Sequence, residues 1–287
     1  MKQREFITLL GGAVVACTLG GAFAPDVSRI ALAQSYPGRP INVIVSFPPG
    51  GNTDIMARAL QNEMSKALSQ TVVIINKPGA AGTLGLIELS RAAPDGYTIA
   101  LTPNNPLTAQ PHVQKLPYAL GSFRYVCLTY FAPYVLIAGP QAPFKTFHEF
   151  VSFAKAKPEN LIYGHAGVAS QPHLGMLAVL KAIGAEGLGV PFTGAGPMAQ
   201  ALLSGTVMAI AETPAVAAAS NLPVLAALAE ARIAALPDVR TMKELGFPAA
   251  SFTAGGLIAP ASTSAAALAT HVDSAFVKKA LAGGCTS

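Results

Sequence analysis

The hydrophobic positions of this chain form short β-branched runs that alternate with repeats of helical spacing. Residues 41–45 are such a run, which predicts a strand that ends at a Pro-Gly loop. Apolar residues then recur about every four positions from 56 to 68, which predicts a helix. Asn52 or Thr53 is expected to cap this helix, and Asp54 suits the positive end of its dipole. The local order is therefore strand, tight loop and helix.

The same order recurs along the rest of the chain. Further strands are predicted at residues 71–75, 97–101, 161–163 and 206–211. Further helices are predicted at residues 83–92, 147–156, 174–183, 198–203 and 265–281. Alternating strands and helices are typical of parallel sheets, so the sequence predicts an α/β fold with a mostly parallel sheet, in two units.

The N-terminal segment has the pattern of an export signal. Two basic residues precede an apolar stretch at 7–24, and residues 31–33 have the Ala-x-Ala form of a signal-peptidase site. We predict that residues 1–33 are a cleaved signal peptide and that the mature protein is periplasmic. Retention as an anchor, lipidation at Cys17, and the choice between Sec and twin-arginine export stay open.

Composition and charge exclude several classes of protein. The 287 residues are 52% hydrophobic and 11% charged, which excludes a disordered chain or a coiled coil. Without residues 1–33, 16 basic and 12 acidic side chains remain, and no Lys/Arg-rich run marks a nucleic-acid surface. The remaining cysteines, Cys127 and Cys285, are too few for a disulfide scaffold and lack the neighbours of a metal site.

Three glycine-containing loops, at residues 48–54, 77–83 and 165–173, each lead from a strand into a helix. Free N–H groups and the dipole make a helix N-terminus suitable for an anion, and glycine allows a ligand to approach the backbone closely. In open α/β sheets, ligands bind at the carboxyl ends of the strands. The three loops together predict a binding site for an anionic ligand, although any one of them could serve only as a tight turn.

The same loops were compared with the motifs of nucleotide-binding and catalytic sites. Glycines at 79, 82 and 85 do not have the spacing of a dinucleotide fingerprint, and the chain has no Gly-Lys-Ser/Thr phosphate loop. We therefore predict no cofactor. Ser170 and His173 could form a nucleophile and base, but no Gly-x-Ser-x-Gly motif surrounds the serine. A helix-capping serine with a histidine on the pocket wall is favoured, and a hydrolase remains the alternative.

Several motifs in these and other loops carry a family resemblance. They are YPGRPI (36–41), FPPGGNTD (47–54), NKPGAAG (76–82), APDGYT (93–98), LPY (116–118), AGVASQPHL (166–174), VPFTG (190–194) and ALPDV (235–239). In this order the motifs resemble those of the solute-binding proteins of tripartite tricarboxylate transporters, the Bug family of periplasmic receptors.

The resemblance implies a two-domain periplasmic binding protein fold of type 2, which closes on an organic acid. Domain 1 would comprise residues 36–136 and 254–287, and domain 2 residues 137–253, hinged by crossing strands. Such receptors hold a ligand carboxylate with loop N–H groups, hydroxyls and ordered water, without an Arg clamp. The implied partners are a di- or tricarboxylate, an aromatic acid or an amino acid, and the membrane permease subunits. A ligand sensor that signals to a membrane kinase is a further alternative to an enzyme or a transport receptor.

The glycine loops and the resemblance together give a set of candidate ligand-binding residues. They are Pro49, Gly50, Gly51, Asn52, Thr53, Asp54, Gly79, Ala80, Gly82, Thr83, Thr102, His165, Ala166, Gly167, Ser170, His173, Phe192, Thr193, Gly194 and Glu212.

Three departures from the family pattern predict an unusual ligand. Met208 stands where relatives commonly have Asp, Glu212 where an Asp often borders the pocket, and Ala169 where a glycine is usual. The resemblance also breaks after the helix at 265–281, where relatives continue with several more helices. From this apparently shortened C-terminus we expect exposed apolar surface on the first domain.

Overall fold

A strand, a loop and a helix repeatedly follow one another in the computed structural model, which describes residues 36–272. The strands are β1 (Ile41–Val45), β2 (Val72–Asn76), β3 (Thr98–Pro103), β4 (Phe123–Ala138), β5 (Ile162–His165), β6 (Leu188–Pro191), β7 (Ala209–Glu212), β8 (Val224–Leu228) and β9 (Phe252–Pro260). The helices are α1 (Asn52–Leu68), α2 (Thr83–Ser90), α3 (Asn105–Thr108), α4 (Phe147–Ala156), α5 (Gln171–Ile183), α6 (Ala195–Leu203), α7 (Pro214–Ser220) and α8 (Ala265–Val272). The predicted signal peptide and Cys285 lie outside the described residues.

The strands form one mixed sheet in the order β2-β1-β3-β9-β4-β7-β5-β6, with β8 paired to β4. Strand β1 runs parallel to β2 and β3, and β5 runs parallel to β6 and β7. We call residues 41–114, with β1 to β3 and α1 to α3, the first half, and residues 139–212, with β5 to β7 and α4 to α6, the second half. The prediction of a mostly parallel sheet holds within each half and is wrong for the centre, where β4 and β9 run antiparallel to their neighbours.

Strand β4 belongs to both parts of the sheet. Residues 123–133 pair with β9, and residues 134–138 pair with β7 and β8. The register between β4 and β9 is interrupted at two places. Such bulges bend a strand and increase its twist. A single 16-residue strand therefore connects the two halves through continuous backbone.

Each half has its own hydrophobic core. In the first half Ile41, Val43 and Ile99 pack beneath Leu60 and Met64 of α1. These are the residues of the β-branched run and of the helical repeat, so the same pattern that predicts the elements also buries them. In the second half another cluster forms around Leu136, Phe144, Phe150, Val179 and Leu180.

The ends of the helices differ in part from the prediction. Gly51 is the N-cap of α1 and forms no side-chain cap, so neither Asn52 nor Thr53 has the predicted role. Ser170 does cap α5, and Gly184 ends that helix in the left-handed conformation, as its sequence indicates. The predicted helix at 265–281 begins as expected with α8, and its part beyond 272 lies outside the described residues. Among the described helices, none is long and apolar enough to cross a membrane.

Candidate functional site

The glycine loops of the two halves face each other across a cleft. We call its deep part, with a volume of about 40 Å³, the inner chamber. The inner chamber is lined by Phe47, Gly51, Asn52, Thr53, Pro103, Asn105, Tyr130, Tyr134, Ala166, Gln171, Pro172, Ala195, Glu212 and Thr253. These residues come from both halves and from the central strands β4 and β9.

A wider outer chamber of about 330 Å³ borders the same loops. It is lined by Gly79, Ala80, Ala81, Gln110, Val113, Gln114, Ala166, Gly167, Val168, Phe192 and Thr193. Ala166 lines both chambers, which places them side by side. All three glycine loops therefore meet at one cleft, together with the loop around residue 193.

Half of the candidate residues line this cleft and half do not. Those that line the inner or outer chamber are Gly51, Asn52, Thr53, Gly79, Ala80, Ala166, Gly167, Phe192, Thr193 and Glu212. Those that line neither are Pro49, Gly50, Asp54, Gly82, Thr83, Thr102, His165, Ser170, His173 and Gly194. The second group lies behind or beside the cleft, and its contacts show what several of these residues do.

Asp54 fixes the first loop from behind. Its Oδ2 accepts hydrogen bonds from the Gly50 N–H and from Arg58 Nε, both at 3.0 Å, and its Oδ1 accepts one from Asn76 Nδ2 at 2.9 Å. Burial alone would raise the pKa of this carboxyl, but the donors from Arg58, Asn76 and Gly50 together lower it. The carboxylate is thus occupied within the protein and holds the loop in shape.

The second loop is shaped by close packing. Gly82 has a φ of 91°, and an added Cβ would lie 2.8 Å from both Phe47 and Pro106, so a larger residue would displace the loop. The Thr83 hydroxyl donates to the Ala80 carbonyl at 3.0 Å. Thr102 instead lines a separate apolar groove between α3 and the strands β4 and β9.

Ser170 and His173 do not form a catalytic pair in this geometry. The buried Ser170 Oγ accepts the His173 backbone N–H at 3.4 Å, and His173 Nδ1 accepts the Ala169 N–H at 3.0 Å. The ring of His173 stacks on His165 with centroids 4.2 Å apart. Burial lowers the pKa of both histidines. The serine therefore caps α5, and the histidine pair packs behind the loop.

The inner chamber combines hydroxyl and amide groups with one buried acid. Thr53 Oγ1 lies 2.9 Å from the Tyr130 hydroxyl, and Asn52 Nδ2 is buried without a partner at hydrogen-bond distance. Glu212, 5% exposed, accepts the Thr213 N–H at 2.6 Å. Burial raises the pKa of Glu212 to about 7 and that of Tyr130 to about 12. None of the described lining residues of this chamber is Lys, Arg or His.

The candidate residues omit the part of the chamber contributed by the central strands. Tyr130, Tyr134 and Thr253 are on β4 and β9, which no local pattern predicts. Gln171 lies within a family motif beside Ser170, so that motif was the signal that could have found it. In the part of the chain that the structure describes, no group of three or more His, Cys, Asp or Glu side chains could hold a metal ion.

The two halves touch at the cleft. Gln110 Nε2 donates to the Val168 carbonyl at 2.8 Å across the outer chamber. A Cβ added at Gly194 would lie 2.5 Å from two ring carbons of Pro48. Glycine at position 194 therefore allows the loops of the two halves to approach this closely.

The family model of the tripartite tricarboxylate transporter family receptor, TctC, matches residues 56–283. The chain belongs to this family. A UPF0065 protein encoded in the gbd 5' region of Cupriavidus necator is 35% identical over 267 residues, which cover 92% of this chain and 80% of that protein. The protein BugT of Bordetella pertussis is 36% identical over 223 residues, which cover 75% of this chain and 68% of BugT. The resemblance to Bug receptors is thus confirmed.

Solved structures of similar proteins share the fold of this TctC family member. The periplasmic binding protein BugD has a TM-score of 0.75 and 30% identity, covering 83% of this chain and 82% of BugD. MatC of Rhodopseudomonas palustris, with bound malate, has a TM-score of 0.77 and 33% identity over 86% and 85% of the chains. An R. palustris protein with adipate has a TM-score of 0.77 and 25% identity, covering 86% of this chain and 88% of that protein. The α/β fold of periplasmic solute-binding proteins is confirmed.

Proposed function

We propose that this TctC family receptor captures a carboxylated metabolite in the cleft and delivers it to the membrane permease subunits of a tripartite tricarboxylate transporter. Related proteins with bound malate and adipate support a carboxylate as the ligand. The periplasmic relatives, together with the export pattern of residues 1–33, support cleavage of a signal peptide and a location in the periplasm.

The inner chamber is the observation that carries this proposal. The buried Asn52 amide and the Thr53 hydroxyl are hydrogen-bonding groups of the first turn of α1, and the Tyr130 hydroxyl of β4 lies beside them. The N-terminal N–H groups of a helix carry partial positive charge and favour an anion. A carboxylate can therefore be held by neutral donors and ordered water, which bind nearly as well as direct partners.

Ligand entry requires the two halves to separate. In this structure the Gln110–Val168 hydrogen bond and the packing of Gly194 against Pro48 close the cleft beside the inner chamber. We propose that the domains are residues 36–136 with 254–287, and residues 137–253, and that they rotate about β4 and β9. Hinge closure of this kind is common around ligands.

We infer that the protein acts by binding alone. His173 Nδ1 is engaged by the Ala169 N–H, so it cannot take a proton from Ser170 without rearrangement. This supports a receptor over the alternative of a Ser/His hydrolase.

A binding screen on the exported protein tests the proposal. The full chain is expressed, the protein is purified from the periplasm, and mass spectrometry determines its N-terminus. Ligand at about 100 times its Kd stabilises a protein by roughly 2.7 kcal/mol, so a binding carboxylate should raise the Tm by several degrees. The uncharged diamide of each acid is the control. Equal Tm values with every carboxylate and every diamide would contradict the proposal.

A further inference from the structure

We propose that Glu212 makes this receptor select carboxylates that also carry a protonated nitrogen over plain dicarboxylates. This inference rests on the proposed function and names the chemical class of its ligand.

Glu212 ends β7 and lines the inner chamber with 5% of its surface exposed. One carboxyl oxygen accepts the Thr213 N–H at 2.6 Å. Among the described residues, no Lys, Arg or His forms an ion pair with it. A buried carboxylate that lacks a cation is costly to ionise, so a cationic ligand group is the partner that this acid lacks.

The surroundings of Glu212 add no other charge to the inner chamber. Tyr130 and Tyr134 of β4 face it, and burial raises the pKa of both phenols, so they stay neutral. Gln171 of α5 is uncharged. The nearest acid on α1, Asp54, is held by Arg58 and lies outside the chamber lining. Two aromatic rings beside a buried acid are a favourable environment for an ammonium group.

The part of the chamber that the first half contributes is suited to a negative charge. It carries the first turn of α1, with the buried Asn52 amide nitrogen and the Thr53 hydroxyl, both of which lie beside Tyr130. The chamber is therefore polarised, with hydrogen-bond donors on one side and a carboxyl group on the other. A ligand that carries both a carboxylate and an ammonium group matches both walls, whereas the second charge of a dicarboxylate would face Glu212.

The two ligand classes have opposite effects on the protonation of Glu212. Because burial raises its pKa to about 7, this group is partly protonated near neutral pH. An ammonium group beside it favours the ionised form, so binding releases a proton. A second carboxylate favours the neutral form, so binding takes up a proton.

Isothermal titration calorimetry with matched ligands tests the inference. The pairs are aspartate and succinate, glutamate and glutarate, and 4-aminobutyrate and butyrate, since each pair differs only by an amino group. Titrations at pH 7 in phosphate and in Tris give the sign of proton exchange. We expect at least one amino compound to bind tenfold or more tightly than its partner and to release protons.

Two variants separate the role of Glu212 from general effects of a lost charge. Glu212→Gln should reduce the preference for the amino compound at least tenfold, whereas Glu186→Gln, the same change at an exposed position, should retain it. If Glu212→Gln does not fold, the inference is still tested by the affinities of the wild-type protein for the matched ligands and by the sign of proton exchange.

The possible failures are distinguishable. Tighter binding of plain dicarboxylates with proton uptake, or an unchanged preference in a folded Glu212→Gln variant, would overturn the inference while supporting carboxylate capture. If no carboxylate binds, either in these titrations or in the Tm screen described above, the proposed function and this inference are both overturned.

Discussion

The Thr53 Oγ1 atom lies 2.9 Å from the Tyr130 hydroxyl, which joins the first turn of α1 to the central strand β4. Both side chains are buried and both line the inner chamber. The contact therefore fixes two polar groups at the point where the first half meets the strand that continues into the second.

Removing either hydroxyl should weaken carboxylate binding. A hydrogen bond to a charged group contributes roughly 1.5–3 kcal/mol. We therefore expect Thr53→Ala and Tyr130→Phe each to make ligand binding weaker by about 1 kcal/mol or more. Calorimetry measures the loss, and the double variant shows how far the two hydroxyls act together. Thr108→Ala removes an exposed threonine hydroxyl that bonds its own helix and is the control. Unchanged affinity in both chamber variants would show that these hydroxyls do not contact the ligand.

Loss of the Asp54 carboxylate should destabilise the protein. It accepts three hydrogen bonds, one of them from Arg58. Asp54→Asn should therefore lower the free energy of unfolding at pH 7 by about 1.5–3 kcal/mol, measured by urea denaturation. The pKa of Asp54 is lowered below 3.8, so its stabilisation is present above pH 3.8 and is lost as the pH falls through the lower folded value.

An exposed acid provides the comparison for Asp54. Asp95 pairs with Arg39 at 2.8 Å, with the two side chains 40% and 60% exposed. Exposed ion pairs contribute about 0–1 kcal/mol, so Asp95→Asn should cost less than Asp54→Asn. Equal losses in the two variants, or a loss from Asp54→Asn that persists unchanged at pH 3, would contradict the role assigned to Asp54.

Elements with a complete local signal could be predicted from the sequence. Helix α4 has the predicted bounds of 147–156, because Thr146 and Glu149 form a capping box at its start. Gly184 ends α5 for a local reason as well, since its left-handed conformation is easily adopted by glycine. The three glycine loops could also be assigned to one site, because each follows the carboxyl end of a strand, where open α/β sheets bind ligands.

The central strands could not be predicted, because their pairing partners are distant in sequence. Strand β4 contains Pro133 and exposes Leu128 and Phe131, so no regular alternation marks it. The sequence therefore does not show that Tyr130 contributes to the chamber. The sequence places Asp54 in the site because it ends a glycine loop within a family motif, whereas its three donors fix the carboxylate behind the loop. A local pattern gives the position of a side chain on its element but not the competing partners that tertiary structure supplies.

A methyl group at position 194 should favour separated halves. In Gly194→Ala the new Cβ would lie 2.5 Å from Pro48 across the cleft, a distance that real Cβ contacts do not reach. The backbone at 194 is extended, so alanine is tolerated once the loops move apart. We expect weaker ligand binding and, in small-angle scattering, a radius of gyration at saturating ligand above that of the wild type.

Gly121→Ala is the matched control for this closure variant. A Cβ at position 121 meets no atom within 4 Å, so ligand affinity and scattering should match those of the wild type. Wild-type affinity and scattering in Gly194→Ala would show that contact between residues 48 and 194 is not part of the ligand-bound form.

The buried carboxyl of Glu212 should reduce stability at high pH. Burial raises its pKa from 4.5 to about 7 in the folded protein, so the folded state binds a proton that the unfolded state has lost between these values. Stability therefore falls as the pH rises through this window, by roughly 3 kcal/mol at about 1.4 kcal/mol per pH unit. Glu212→Gln removes this penalty and retains an oxygen that can accept the Thr213 N–H. Without ligand, the variant should unfold at a higher urea concentration than the wild type at pH 8, and the difference should shrink to near zero by pH 4.

Glu186→Gln, at an exposed position, should follow the wild type at both pH values. A pH-independent difference between Glu212→Gln and the wild type would mean that Glu212 has the same pKa in the folded and unfolded states, because only a pKa that changes on unfolding couples its proton to stability.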